Sequence, residues 1–274
     1  MNKVSPPLKY SGNDPHITAP TVKRRLTAPV NRRRALATFG ASLAGFGVLS
    51  GCGADAGSSS GATNSRSPAI ATGEGRCVLI PLEAEGPYPL SAVLSNSTYV
   101  RGQINEDKTG VPLTLKFKLV DINNSCEPLP YASFYVWHCD KDGLYSGYAQ
   151  PGNDTRGQTF CRGIQDVNAN GEVTFHTIYP GWCAGRITHI HFQVFLYNDT
   201  ASLATATSQL TFPQDITQAV YGTAPYRNHG QNTSVSAIDR DGIFADGYEN
   251  QLASVSGSVA DGYVATLTVG IAAP

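Results

Sequence analysis

Hydrophobic and polar residues alternate along several stretches of this 274-residue chain. Leu113, Leu115, Phe117 and Leu119 are separated by Thr114, Lys116 and Lys118, and Val173, Phe175 and Thr177 are interleaved with Glu172, Thr174 and His176. Tyr263, Ala265, Leu267, Val269 and Ile271 repeat the pattern at the carboxyl end. Side chains alternate across a strand, so this period predicts strands with one face in a core and the other in water. Asp142-Gly143, Asn170-Gly171, Asp241-Gly242 and Asp246-Gly247 supply turns between them. No long segment carries a helical apolar stripe, and no internal repeat is evident. The pattern predicts an all-β fold: an antiparallel β-sandwich with long functional loops and at most short helices near Ser91–Asn96 and Ile216–Tyr221.

The stretch from Thr188 to Leu196 is the most informative strand. Ile190, Phe192, Val194 and Leu196 fall on one face, and His189 and His191 project together from the other. Imidazole is the commonest protein metal ligand, and two rings on one rigid strand are placed in advance for an ion. The same spacing also suits a pair of hydrogen-bonded surface histidines, so the surrounding motifs have to decide.

The amino-terminal part breaks the strand pattern. Arg32, Arg33 and Arg34 precede a weakly polar run, Ala35 to Ser50, that is too short to span a bilayer and suits the apolar region of an export signal. The basic leader resembles a twin-arginine signal. Leu49-Ser50-Gly51-Cys52 resembles a bacterial lipobox, which would make Cys52 the lipidated first residue of the mature protein. Residues 53–75 are rich in Gly, Ser, Ala and Thr and read as a flexible tether. The expected organisation is a signal over 1–51, a tether over 52–75 and one folded domain over 76–274. The protein is expected to be exported, periplasmic or cell-surface, with membrane contact through the lipid anchor only.

Charge narrows the partners. Residues 1–51 hold eight of the 20 Lys and Arg and one of the 21 Asp and Glu, so the remainder is net negative by eight. A body of that sign repels phosphate backbones, and no basic stripe interleaved with aromatics offsets it, which excludes nucleic acid. Six cysteines in an exported chain suggest disulfides. With Cys52 taken by lipid an odd five remain, so at least one is free, bound to a metal or paired outside the chain.

Four more segments accompany the histidine pair. They are Glu85-Gly86-Pro87-Tyr88, Trp137 to Ser146, Phe160-Cys161-Arg162-Gly163-Ile164-Gln165, and Thr177 to Arg186 with Pro180-Gly181-Trp182 inside it. Together, from about Cys77 to Asp246, they resemble the intradiol ring-cleavage dioxygenases, the family of catechol and protocatechuate dioxygenases, and most of all its exported single-domain branch. The resemblance implies a non-haem Fe(III) cofactor held by two tyrosines and two histidines, with a small aromatic diol and O2 as substrates and a muconate-type diacid as product. By motif, Tyr145 takes the place of the first tyrosinate, and His189 and His191 those of the imidazoles. A phenolate is a hard anionic donor suited to Fe(III). Arg186 matches the active-site arginine, whose cation would stabilise charge developing on the ring. Tyr88 resembles a residue lining the substrate mouth. Arg162 and Gln165 resemble the pocket wall, either around the ligands or as structural ties. A homodimer is left open.

At one position the chain departs from the pattern, because Cys183 stands where the family has its second tyrosine ligand. The expectation is a cystine joining Cys161 and Cys183 beside the iron. The other two states are a thiolate ligand, and a free thiol with Tyr179 as substitute donor. Cys77, Cys126 and Cys139 resemble cysteines of the exported branch. A Cys126–Cys139 bridge is disfavoured because the segment between them reads as extended, which makes Cys77 the better partner for either. The leading reading is an intradiol dioxygenase. Its alternative is a non-catalytic catechol- or iron-chelate-binding member of the fold.

Overall fold

The computed structural model describes residues 78–274, and the expectations for the export signal, Cys52, the tether and Cys77 lie outside these residues. In chain order the strands are β1 (Pro112–Asp121), β2 (Glu127–Pro128), β3 (Ala132–Trp137), β4 (Ala149–Gln150), β5 (Asn153–Asp154), β6 (Arg162–Asp166), β7 (Glu172–Ile178), β8 (His189–Leu196) and β9 (Ala206–Thr211). The helix α1 (Gln214–Tyr221) follows, then β10 (Ser254–Ser258) and β11 (Gly262–Ile271). Short 3-10 turns occupy Ser91–Ser95, Ser97–Tyr99 and Ile238–Arg240. No helix among the described residues is long and apolar enough to cross a membrane.

Two sheets face each other. One runs β10-β11-β1, with β7 and β2 both paired to β1, and the other runs β6-β3-β8-β9. Leu113, Leu115, Phe117 and Leu119 of β1 meet Phe134 and Val136 of β3 and Ile190, Phe192 and Val194 of β8 in the shared core. Phe117 lies 4.8 Å from Phe134 and 5.0 Å from Phe192 between ring centroids. Burying a side chain of this kind contributes roughly 1.5–3 kcal/mol, so the alternating positions carry the sandwich.

The architecture is the expected all-β sandwich, and the departure from antiparallel strand pairing is in the first sheet, which is mixed. β1 and β11 run parallel, from Leu113 opposite Tyr263 to Asp121 opposite Ile271. Parallel neighbours require a long crossover, and here β2 to β10 and α1 all lie between the two strands. Strand periodicity carries no record of such a distant pairing.

The second sheet is buried on both faces. Every residue of β3, and every residue of β8 except Leu196, is buried. On the face away from the shared core, Tyr135, Trp137, His189, His191, Gln193 and Phe195 are covered by the segments before and after β1–β3. The Tyr135 hydroxyl donates to the Pro89 carbonyl at 2.7 Å, and Gln193 Nε2 donates to Glu85 at 3.3 Å. The histidines therefore lie on a rigid ladder beneath loops.

Candidate metal centre

β8 sets the two imidazoles, and β3 supports them. Trp137, opposite His191 in the ladder, stacks flat on its ring at 4.9 Å and 5°. Gly86 passes over the other side, where a Cβ would come 3.1 Å from His191 Cε1. Tyr145 comes from the loop after β3. Its backbone is clamped by Gln150, whose Oε1 accepts from Tyr145 N at 3.0 Å and whose Nε2 donates to Tyr145 O at 2.7 Å. Thr155 Oγ1 also donates to that carbonyl, at 2.5 Å. At the loop's start Asp140 Oδ1 accepts from the amides of Asp142 and Leu144, each at 3.0 Å. Gly143, at φ 82°, lets the loop lie against the next segment, since a Cβ there would sit 2.3 Å from the Trp182 carbonyl oxygen.

The three side chains converge. The Tyr145 hydroxyl lies 3.1 Å from His189 Nε2 and 3.3 Å from His191 Nε2, and the two Nε2 atoms are 3.0 Å apart. His189 Nδ1 donates to the Ile187 carbonyl at 2.6 Å, which turns the Nε2 lone pair towards the centre. His191 Nδ1 is buried without a partner among the described residues, so that ring's polar neighbours are all on its Nε2 side. An ion bonded at about 2.1 Å to three donors spaced in this way would see them roughly 90–105° apart, on one side of it. The donor set thus fits a metal ion and leaves its other side to the cleft.

Electrostatics agree with that use. Burial drives His189 down to about 3, aided by the Arg186 cation. It drives His191 well below the usual range, aided by His189 and Arg186. Both rings are neutral and ready to donate lone pairs. Burial also holds the Tyr145 phenol well above its ordinary value, although Arg186 and Arg162 pull the other way. A phenolate forms here only when a cation offsets that desolvation. Among the described residues no group of three or more His, Cys, Asp and Glu side chains could hold an ion, and the third polar group beside the two imidazoles is the Tyr145 hydroxyl.

Two arginines stand beside the triad in different settings. Arg186 Nε donates to both carboxylate oxygens of fully buried Asp241, at 3.1 and 2.9 Å, and its Nη2 donates to Gln209 at 2.7 Å. Its Nη1 is 3.5 Å from His189 Nε2. Arg162 is fully buried and makes no ion pair among the described residues. It donates to Ser146 Oγ and O, each at 2.8 Å, to the Tyr88 carbonyl at 2.8 Å, and to the Tyr135 hydroxyl at 3.0 Å. Arg162 therefore ties the Tyr88 and Tyr145 loops to the sheet.

A cleft of about 680 Å³ opens onto the triad. Tyr88 lines it and stacks on Tyr145 at 4.8 Å, and Arg186 and Cys183 line it as well. Two residues named as candidates for this site lie elsewhere. Tyr179 is buried in the shared core against Phe212, with its hydroxyl 2.7 Å from Thr217 Oγ1. The chain turns at Pro180-Gly181-Trp182 before it reaches the cleft, so Tyr179 is no substitute donor. Gln165 is not among the cleft-lining residues, and its Nε2 reaches the Thr174 carbonyl at 3.5 Å.

The Cys161–Cys183 cystine is also corrected, since both residues are free thiols, as is Cys139. Cys161 is fully buried beside Phe160 and Ile178, whereas Cys183 borders the cleft. Cys126 is disulfide-bonded. Asp241, Gln209, Gln150 and His229 were missed from the sequence. Asp241 carried only the signal of an Asp-Gly turn, and the others none.

No family model matches the chain, and no curated protein matches it. Solved structures do. An intradiol ring-cleavage dioxygenase from Tetranychus urticae is 28% identical with a TM-score of 0.62, over 72% of this chain and 95% of that one. The dioxygenase Tetur07g02040 is 28% identical with a TM-score of 0.59 over the same shares. The dioxygenase domain of a dioxygenase and carbohydrate-binding fusion from Streptomyces sp. SirexAA-E is 24% identical with a TM-score of 0.48, over 72% of this chain and all of that one.

Proposed function

We propose that this chain, a member of the intradiol ring-cleavage dioxygenase family, holds a non-haem Fe(III) ion through Tyr145, His189 and His191 and cleaves a small catecholic diol between its two hydroxylated carbons with O2. The observation that carries the reading is the convergence of one phenol and two neutral imidazoles within 3.0–3.3 Å at the floor of an open cleft. A ferric ion held there would supply the Lewis acidity by which a chelating diol becomes reactive towards O2, with a muconate-type diacid as the product.

The protein's own side chains do the rest. Tyr145 supplies the anionic donor, and its buried setting ties ionisation to the presence of the cation. Arg186, held by Asp241 and Gln209, points a fixed positive charge at the His189 side of the centre and stabilises negative charge developing on the substrate. Tyr88 and Trp182 offer aromatic faces at the mouth for a planar ring. Cys183 remains a thiol beside Tyr145, which leaves three protein donors.

Iron analysis with an oxygen-electrode screen of catechol, protocatechuate and hydroxyquinol tests the reading. About one iron per chain, oxygen uptake and a growing muconate absorbance are expected. Iron with diol binding but no oxygen uptake would reduce the protein to a binder of catechols, and iron-free native material would overturn the proposal.

A further inference from the structure

A chelating diol has to lose its hydroxyl protons, and the cleft contains few groups able to take one. His189 and His191 point their lone pairs at the ion position, and Tyr145 is the third donor there. Cys183 is a free thiol whose pKa burial raises further, so it carries its proton, and Arg186 is a cation. Asp142 is bound to Lys141 at 2.6 Å, outside the buried floor. Gln150 is engaged with the Tyr145 backbone. One imidazole outside the triad remains among the described residues lining the cleft, and it is His229.

Its setting is built. His229 Nε2 lies 2.7 Å from the Trp182 carbonyl oxygen, which can only accept, so Nε2 carries the hydrogen and Nδ1 the lone pair. No described residue occupies Nδ1. The ring packs on the Trp182 indole at 4.4 Å between centroids, and the backbone amide of His229 donates to Tyr226 O at 3.1 Å. The charged and titratable groups that line the same cleft are Asp142 and Tyr145 from the loop after β3, Tyr88, Cys183, Arg186 and the two imidazoles of β8, and Arg227 lies in its own turn.

We propose that His229 Nδ1 is the cleft's proton acceptor for the incoming diol. The O–H bond of one substrate hydroxyl breaks, its electron pair stays on oxygen, and the proton forms an N–H bond at Nδ1, giving an imidazolium held by Trp182. The inference rests on the diol-binding reading above and adds a residue to it.

The test uses the iron-loaded protein and 4-nitrocatechol, a diol whose colour reports its ionisation, bound without oxygen. His229→Gln keeps an amide donor for the Trp182 carbonyl and removes the base. The variant is expected to retain its iron and its ligand colour, to bind 4-nitrocatechol at least tenfold more weakly, and to lose one limb of the pH dependence of binding. With a turned-over catechol, kcat/KM is expected to fall roughly 10²-fold or more. Equal affinity with an unchanged pH profile in His229→Gln would overturn the role of His229 and leave the iron site standing. A wild-type protein that binds iron but no diol would overturn both.

Discussion

The two faces of the β6-β3-β8-β9 sheet are built on opposite principles. On one face Phe134, Val136, Ile190, Phe192 and Val194 interlock with β1, and each contributes through burial alone. On the other, Trp137, His189 and His191 meet a phenol, arginines and backbone carbonyls brought in by loops. The first face is specified by a period along the chain. The second is specified by single polar contacts between distant segments, so a change there acts on the chemistry or on the particular loops a contact ties, where a change on the core face lowers stability alone.

That contrast can be broken or sharpened by substitution. Phe192→Ala removes a ring from the core face only and is expected to cost about 3–5 kcal/mol in denaturant unfolding, while the folded fraction keeps its ligand spectrum. Arg186→Ala should lower kcat roughly 10²–10³-fold with iron content largely retained, because the lost charge acts on the substrate. Loss of iron in step with activity would show instead that Arg186 is a structural prop. Arg162→Lys leaves the charge but abandons most of the four contacts that tie the two loops, and a loss of about 1.5–3 kcal/mol is expected in thermal unfolding.

The smallest effect is a pH slope. His138 is fully buried, with Nδ1 donating to the Cys139 carbonyl at 2.7 Å and Nε2 2.8 Å from Thr177 Oγ1, and burial lowers it to about 4. Its folded value lies below its unfolded one, so the unfolded chain binds the extra proton first. Stability is complete above about 6.5 and falls as pH drops towards 4, by no more than about 1.4 kcal/mol per pH unit for this one group. His138→Gln should flatten that part of a Tm-against-pH curve, and an unchanged slope would assign the acid sensitivity to other groups.

The core face was legible because its information is local. β1, β7, β8 and β11 follow the alternation of their residues, and the short helices fall where the pattern placed them. Pairing was not legible, since nothing near Leu113 encodes a parallel partner at Tyr263. On the site face, His189 and His191 announce themselves through spacing, and Tyr145, Tyr88 and Arg186 only through ordered motifs. Asp241, Gln209 and His229 come from loops without a period, so sequence offered no means of bringing them together. Tyr179, offered as a donor only should Cys183 stay a free thiol, directly follows β7, and its ring goes into the shared core against Phe212. The cystine failed for a related reason: Cys161 and Cys183 sit in motifs that converge, but one thiol faces Phe160 and the other borders the cleft.

The ligand set is tested most directly by the visible spectrum of the iron-loaded protein with and without Tyr145→Phe. The wild type is expected to show a tyrosinate-to-Fe(III) charge-transfer band that shifts on adding catechol. Tyr145→Phe should lose that band and bind iron at least about 100-fold more weakly, beyond the cost of losing an outer contact to a ligand. A full-strength band in Tyr145→Phe would contradict the assignment.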